Sequence, residues 1–78
     1  MKVLVTGAAG FLGSFMAERL AEEGYYVVGV DNLFRGNLNN IRHLIDSKKM
    51  EFYEWDVRKP LPKWMLKDVE AVFHYAAI

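Results

Sequence analysis

Four short apolar runs alternate with amphipathic stretches along the chain. Lys2–Thr6 reads Lys-Val-Leu-Val-Thr, a β-branched run too short for a helix and bounded by Gly7, which predicts a strand buried on both faces. From Phe11 the apolar residues fall at Phe11, Leu12, Phe15, Met16 and Leu20. That spacing predicts one buried helix face, with Glu18, Arg19, Glu22 and Glu23 on the other and Gly24 as the stop. Tyr26–Asp31 is a second buried-strand pattern, and its terminal acid is costly to bury unless something polar partners it. Asn32–Asn37 carries loop residues. Leu38, Ile41, Leu44 and Ile45 then recur at helical spacing, with Asn37 or Asn39 as N-cap. Glu51–Val57 alternates Phe52, Glu54 and Asp56 with Tyr53, Trp55 and Val57 and predicts a third strand. Pro60 and Pro62 end regular structure, Trp64–Leu66 suits one helical turn, and Glu70–Tyr75 reads as a fourth strand.

This order predicts an α/β fold, the N-terminal part of a doubly wound Rossmann sheet with about four parallel strands and helices on both faces. In such sheets a ligand sits outside the carboxyl ends of the strands, so Gly7, Asp31, Asp56 and Ala76 are expected at one edge. The full dinucleotide fold has about six strands. Residues 1–78 are therefore expected to be the N-terminal part of one domain whose remainder, with any substrate domain, lies elsewhere.

Composition narrows the picture further. The 78 residues are 53% apolar and 26% charged, which is the make-up of a folded globular chain and not of a disordered one. Ten basic residues balance ten acidic ones, so no net field recruits nucleic acid or an anionic membrane. Cysteine is absent, which excludes thiolate zinc sites and agrees with a reducing cytoplasm. Apolar runs such as Tyr25–Val28 fall far short of the roughly 20 residues that span a bilayer. The N-terminus has no full signal-peptide pattern, since Thr6 and Gly7 break its apolar stretch. A mature, cytoplasmic protein is expected.

The candidate chemistry begins at Thr6-Gly7-Ala8-Ala9-Gly10-Phe11-Leu12-Gly13, where three glycines at spacing three and three leave a strand and open a helix. Gly7 permits a tight turn, Gly10 lets a pyrophosphate approach backbone N–H groups at the positive helix end, and Gly13 lets helix and strand pack closely. Asp31 follows Gly13 by eighteen residues, where a ribose-binding acid is expected. The plainer alternative is that the glycines only make a turn and Asp31 only caps the next segment. A nucleoside-triphosphatase loop is excluded, because Leu12 occupies its second glycine position and no Lys follows. A carboxylate accepts hydrogen bonds from ribose hydroxyls but repels a 2′-phosphate, which favours NAD over NADP. Arg35 is either the residue that pairs with a 2′-phosphate or a solvated loop charge.

Thr6–Gly13 resembles the Thr-Gly-x-x-Gly-x-x-Gly motif of the NAD-dependent epimerase/dehydratase family, the extended short-chain dehydrogenase/reductases. Asp31-Asn32-Leu33 with Gly36 and Asn37 is similar to that family's ribose-holding loop. Trp55-Asp56-Val57-Arg58 resembles its Gly-Asp-Ile-Arg adenine segment, and Val72-Phe73-His74-Tyr75-Ala76-Ala77 its Val-Phe-His-Leu-Ala-Ala segment beside the cofactor. Trp55 departs from the family's small residue and alters the shape of the pocket around Asp56; Tyr75 is a milder departure. The resemblance implies that Gly7, Gly10, Phe11 and Leu12 hold pyrophosphate. It further implies that Asp31 and Asn32 hold ribose with Leu33, Arg35 and Gly36 in the same loop, that Asp56 and Val57 contact adenine, and that Tyr75, Ala76 and Ala77 line the nicotinamide side. It implies a nucleotide-sugar epimerase, most like those acting on UDP-glucose, with UDP-glucuronate decarboxylase or dTDP-glucose 4,6-dehydratase as alternatives. The nucleotide sugar would be met only by the missing C-terminal part, in a homodimeric parent.

The family's proton-transferring Tyr-x-x-x-Lys does not occur here: Tyr25, Tyr26 and Tyr53 are followed four residues later by Gly29, Val30 and Val57. His43 reads as a solvated helix residue and His74 as a packed strand-end residue, so neither is expected to be a base. Two alternatives from outside enzymology stand beside this reading. One is a non-catalytic dinucleotide-binding module; the other is a degenerate fragment that neither folds nor binds.

Overall fold

The computed structural model describes residues 1–76. Its strands are β1 (Lys2–Thr6), β2 (Tyr26–Asp31), β3 (Met50–Glu54) and β4 (Val69–His74), and its helices are α1 (Phe11–Glu22), α2 (Arg42–Asp46) and α3 (Lys63–Leu66). The four strands form one parallel sheet in the order β3-β2-β1-β4. The order reverses between β1 and β4, so the chain crosses from one face to the other after β3, as the doubly wound expectation requires.

Alternation along the central strands sends side chains to two cores. Val3, Val5 and Val27 join Ala17, Leu20 and Ala21 of α1 and Leu44 of α2 on one face. Leu4, Val28 and Val30 meet Met65 of α3 on the other. Parallel strands buried on both faces carry unbroken apolar runs, which is why β1 and β2 lack a polar stripe.

Three details differ from the sequence expectation. The buried face of α1 is Gly13, Ala17, Leu20 and Ala21, whereas Phe11, Leu12 and Phe15 are exposed. The reason is the short distance between helix and sheet: a Cβ on Gly13 would come within 2.6 Å of the Gly7 carbonyl carbon, so small residues must face inward. The second helix is divided into a 3-10 turn at Leu38–Asn40, where Asn37 accepts from Asn39 N–H, and the five-residue α2. The third strand ends at Glu54 rather than Val57, because the chain turns at Asp56: Lys59 N–H donates to the Asp56 carbonyl at 2.9 Å. Trp55 stays attached to the sheet through its N–H to the Asp31 carbonyl, 3.0 Å away.

Candidate nucleotide-binding cleft

A cleft of about 210 Å³ opens at the carboxyl ends of the strands, lined by Gly7, Gly10, Asp31, Asn32, Phe34, Arg35, Gly36, Trp55, Val57, Tyr75 and Ala76. Its floor is the turn from β1 to α1. Gly7 has φ +69°, and a Cβ there would lie 2.7 Å from the Tyr75 carbonyl carbon and 2.8 Å from the Ala76 nitrogen. Only glycine takes this backbone conformation with the end of β4 so close. Gly10 differs: among the described residues, chain neighbours aside, the atom that a Cβ there would meet is the Gly7 oxygen at 3.3 Å. That missing side chain leaves an open cradle beside the start of α1.

Gly10 is the N-cap of α1 and supplies no side-chain acceptor. Its carbonyl takes Ser14 N–H at 2.9 Å, and among the described residues nothing accepts from the N–H groups of Phe11 and Leu12. Unsatisfied first-turn donors plus the helix dipole make this end of a twelve-residue helix attractive to an anion.

Asp31 fixes the opposite rim. Its side chain is 7% exposed, and Oδ2 accepts from Ala9 N–H at 2.9 Å while Oδ1 accepts from Leu33 N–H at 2.8 Å. The polar partner demanded by the sequence is therefore the backbone of the glycine turn and of the next loop. A carboxylate oxygen has more than one acceptor position, so hydroxyl donors in the cleft can still be served. Leu33 is held at φ +62°; Phe34 N–H donates to Asn32 Oδ1 at 2.9 Å. Asn37 N–H and Asn40 Nδ2–H both donate to the Ala9 carbonyl, at 2.9 and 2.8 Å. A Cβ on Gly36 would strike Ala9 at 2.8 Å. The loop 32–37 is thereby folded down onto the glycine turn.

Asp56 lies just outside the lining. Its carboxylate takes Arg58 Nη2–H at 2.8 Å and Nε–H at 3.0 Å, together with Arg58 N–H at 3.0 Å. The Arg58 side-chain hydrogen bond, and then the backbone one, hold its carboxyl down to about pKa 2. Trp55 is a wall of the cleft, and its Nε1–H is buried with no acceptor among the described residues.

The structure thus brings Gly7, Gly10, Asp31, Asn32, Arg35, Gly36, Val57, Tyr75 and Ala76 together. Phe11 and Leu12 are not among the lining residues; they open α1 directly after Gly10, and their side chains are exposed. Leu33 turns its side chain into the core instead, and Ala77 lies outside the described residues. Sequence reasoning missed Phe34 as a wall and had Trp55 only as a change in the shape of the pocket around Asp56. Phe34 was legible inside the Asp31–Gly36 loop, and Trp55 as the bulky residue in a small residue's place.

The sequence profile of the NAD dependent epimerase/dehydratase family matches residues 3–78. The chain belongs to that family. It is 40% identical over 79 aligned positions to the UDP-glucose 4-epimerase of Mycolicibacterium smegmatis, covering 99% of this chain and 25% of that protein. The crystal structure of UDP-glucuronic acid 4-epimerase from Bacillus cereus, in complex with UDP-glucuronic acid and NAD, superposes with a TM-score of 0.85 at 38% identity, over 100% of this chain and 27% of that one. The dTDP-glucose 4,6-dehydratase of Bacillus anthracis in complex with NAD gives a TM-score of 0.89 at 32% identity, again over 100% and 27%. UDP-glucuronic acid decarboxylases also match. The chain spans about a quarter of the length of the epimerase relatives it matches. Among the described residues, no helix is long and apolar enough to cross a membrane, and no cluster of three His, Asp or Glu side chains could hold a metal.

Proposed function

We propose that residues 1–78 are the NAD-binding N-terminal part of one Rossmann domain in a cytoplasmic, homodimeric nucleotide-sugar epimerase, most like a UDP-glucose 4-epimerase. The observation that carries this reading is the pairing, across one cleft, of the open cradle at Gly10 with the buried carboxylate of Asp31. Pyrophosphate oxygens suit the free N–H groups of Phe11 and Leu12, and ribose hydroxyls suit Asp31 and Asn32. Val57 and Trp55 offer apolar walls to adenine, with Arg35 and Gly36 in the adjoining loop; Leu33 anchors that loop in the core. Asp56 contributes through its backbone turn, since Arg58 occupies its carboxylate. Tyr75 and Ala76 are the wall assigned to the nicotinamide side.

Bound NAD supplies the hydride-accepting ring for chemistry at a sugar carbon. The residues of this chain bind and orient; they move no proton. The acid–base pair and the contacts to the nucleotide sugar belong to sequence outside these 78 residues. Decarboxylation or dehydration of a nucleotide sugar is the alternative within the same family, supported by the relatives of those activities.

The test is the native polypeptide that carries this N-terminus. A mass roughly four times the 9.0 kDa of this chain, with interconversion of UDP-glucose and UDP-galactose, supports the epimerase. A native mass of 9.0 kDa leaves a non-catalytic dinucleotide-binding module and removes the enzyme.

A further inference from the structure

Thr6 ends β1, and three groups from the end of β4 converge on its hydroxyl. Tyr75 N–H lies 3.1 Å from Thr6 Oγ1, Ala76 N–H lies 3.3 Å from it, and His74 Nδ1 lies 2.7 Å from it. A hydroxyl has two lone pairs and one proton. The two backbone N–H groups can only donate, Tyr75 N–H being shared with the Thr6 carbonyl oxygen at 3.1 Å, so both face lone pairs of the hydroxyl. The third contact must then be donated by Thr6 Oγ1–H, and His74 Nδ1 must be its acceptor. Thr6 is 3% exposed and His74 is exposed, and among the described residues the ring nitrogen is the acceptor within reach of the Thr6 proton.

We infer that His74 is held as the neutral Nε2–H tautomer and is a positioning residue for the cleft. By accepting the Thr6 proton it orients that oxygen's lone pairs toward the amides of Tyr75 and Ala76. Those two residues form one wall of the cleft and pass within 2.7–2.9 Å of the Cβ that Gly7 lacks. The Thr6–His74 knot therefore sets how closely the end of β4 rides over the glycine turn. Its consequence for binding rests on the reading that this cleft takes NAD; the tautomer does not.

Nitrogen-15 spectra of the His74 ring in the unliganded protein at neutral pH test the tautomer directly. An unprotonated Nδ1 and a protonated Nε2 are expected, while a protonated Nδ1 or an average of both tautomers overturns the inference. Titration with NAD tests the positioning. Thr6→Val and His74→Leu are expected to weaken binding by about tenfold, the worth of one well-placed hydrogen bond. Thr6→Ser retains the hydroxyl, and His74→Asn retains an acceptor oxygen near Nδ1; both are expected to restore binding to within about twofold. Equal losses for His74→Asn and His74→Leu overturn the positioning role. If the parent protein binds no NAD, the cofactor reading fails and the ring spectrum still decides the tautomer.

Discussion

Gly10 and Gly13 are three residues apart and meet opposite demands. At Gly13 a Cβ would run into the Gly7 carbonyl group, so Gly13→Ala must push α1 off the turn. A loss of about 1–3 kcal/mol is expected in denaturant unfolding. At Gly10 a Cβ would meet, among the described residues, only the Gly7 oxygen at 3.3 Å, so Gly10→Ala is expected to leave unfolding within about 1 kcal/mol of the parent while NAD affinity falls sharply. The pair separates a glycine needed by the fold from one needed by the ligand. Asp31 serves both purposes. Asp31→Ala strands the buried N–H of Ala9 and the half-buried N–H of Leu33, and the Ala9 donor is expected to cost about 1–3 kcal/mol. The need for a polar partner at Asp31 was legible in the sequence, because a buried acid demands one. That the partner is the backbone of the glycine turn itself was not, since local pattern carries no information about which distant amide is left free.

Asp56 gives the residue-scale pH dependence. Its carboxyl is lowered to about 2 from the usual 3.8, first by the Arg58 side-chain hydrogen bond. A depressed carboxyl stabilises the fold above its unfolded value, and that contribution is lost as pH falls from about 4 toward 2. The pair is partly solvated, with Arg58 well exposed, so the effect on global stability is small. The carboxyl titration followed by NMR is expected to have its midpoint near 2, and Arg58→Ala is expected to return it to the ordinary carboxylate range near 4. A midpoint that does not move with Arg58→Ala contradicts the pairing.

At the scale of elements, α1 is where sequence pattern and packing part company. The large apolar residues Phe11, Leu12 and Phe15 follow helical spacing, yet Gly13, Ala17, Leu20 and Ala21 form the buried stripe. Two stripes coexist on one helix, and hydrophobicity alone selects the bulkier one. The deciding factor is the close approach of helix and sheet, signalled by Gly13 and the two alanines. Ala17→Leu is expected to cost about 1–3 kcal/mol or more through overpacking, while Phe15→Ser, at a position 58% exposed, is expected to change unfolding by less than about 0.5 kcal/mol. The reverse ranking in urea melts would mean that α1 is rotated. The third strand shows a smaller mismatch with a different cause: its alternation continues through Val57, but the turn at Asp56 ends the ladder at Glu54.

For the whole molecule, strand order and parallel pairing were legible because buried runs alternating with helices admit few right-handed topologies. The site edge was legible for the same reason, since the carboxyl ends of parallel strands fall together. Coverage was legible only in part. β4 stands at the end of the sheet, and Val72, which pairs with Leu4 on the α3 side, is 56% exposed. Phe11 and Phe15 are exposed as well, consistent with a chain that spans a quarter of its epimerase relatives.

The central claim is that the cleft between the glycine turn and Asp31 takes NAD. Calorimetric titration of the protein with NAD and with NADP tests it most directly, with circular dichroism confirming the fold in the same sample. Saturable one-to-one binding of NAD is expected, with NADP weaker by about tenfold or more because its 2′-phosphate meets the Asp31 carboxylate. A folded protein that binds neither nucleotide, or prefers NADP, contradicts the account.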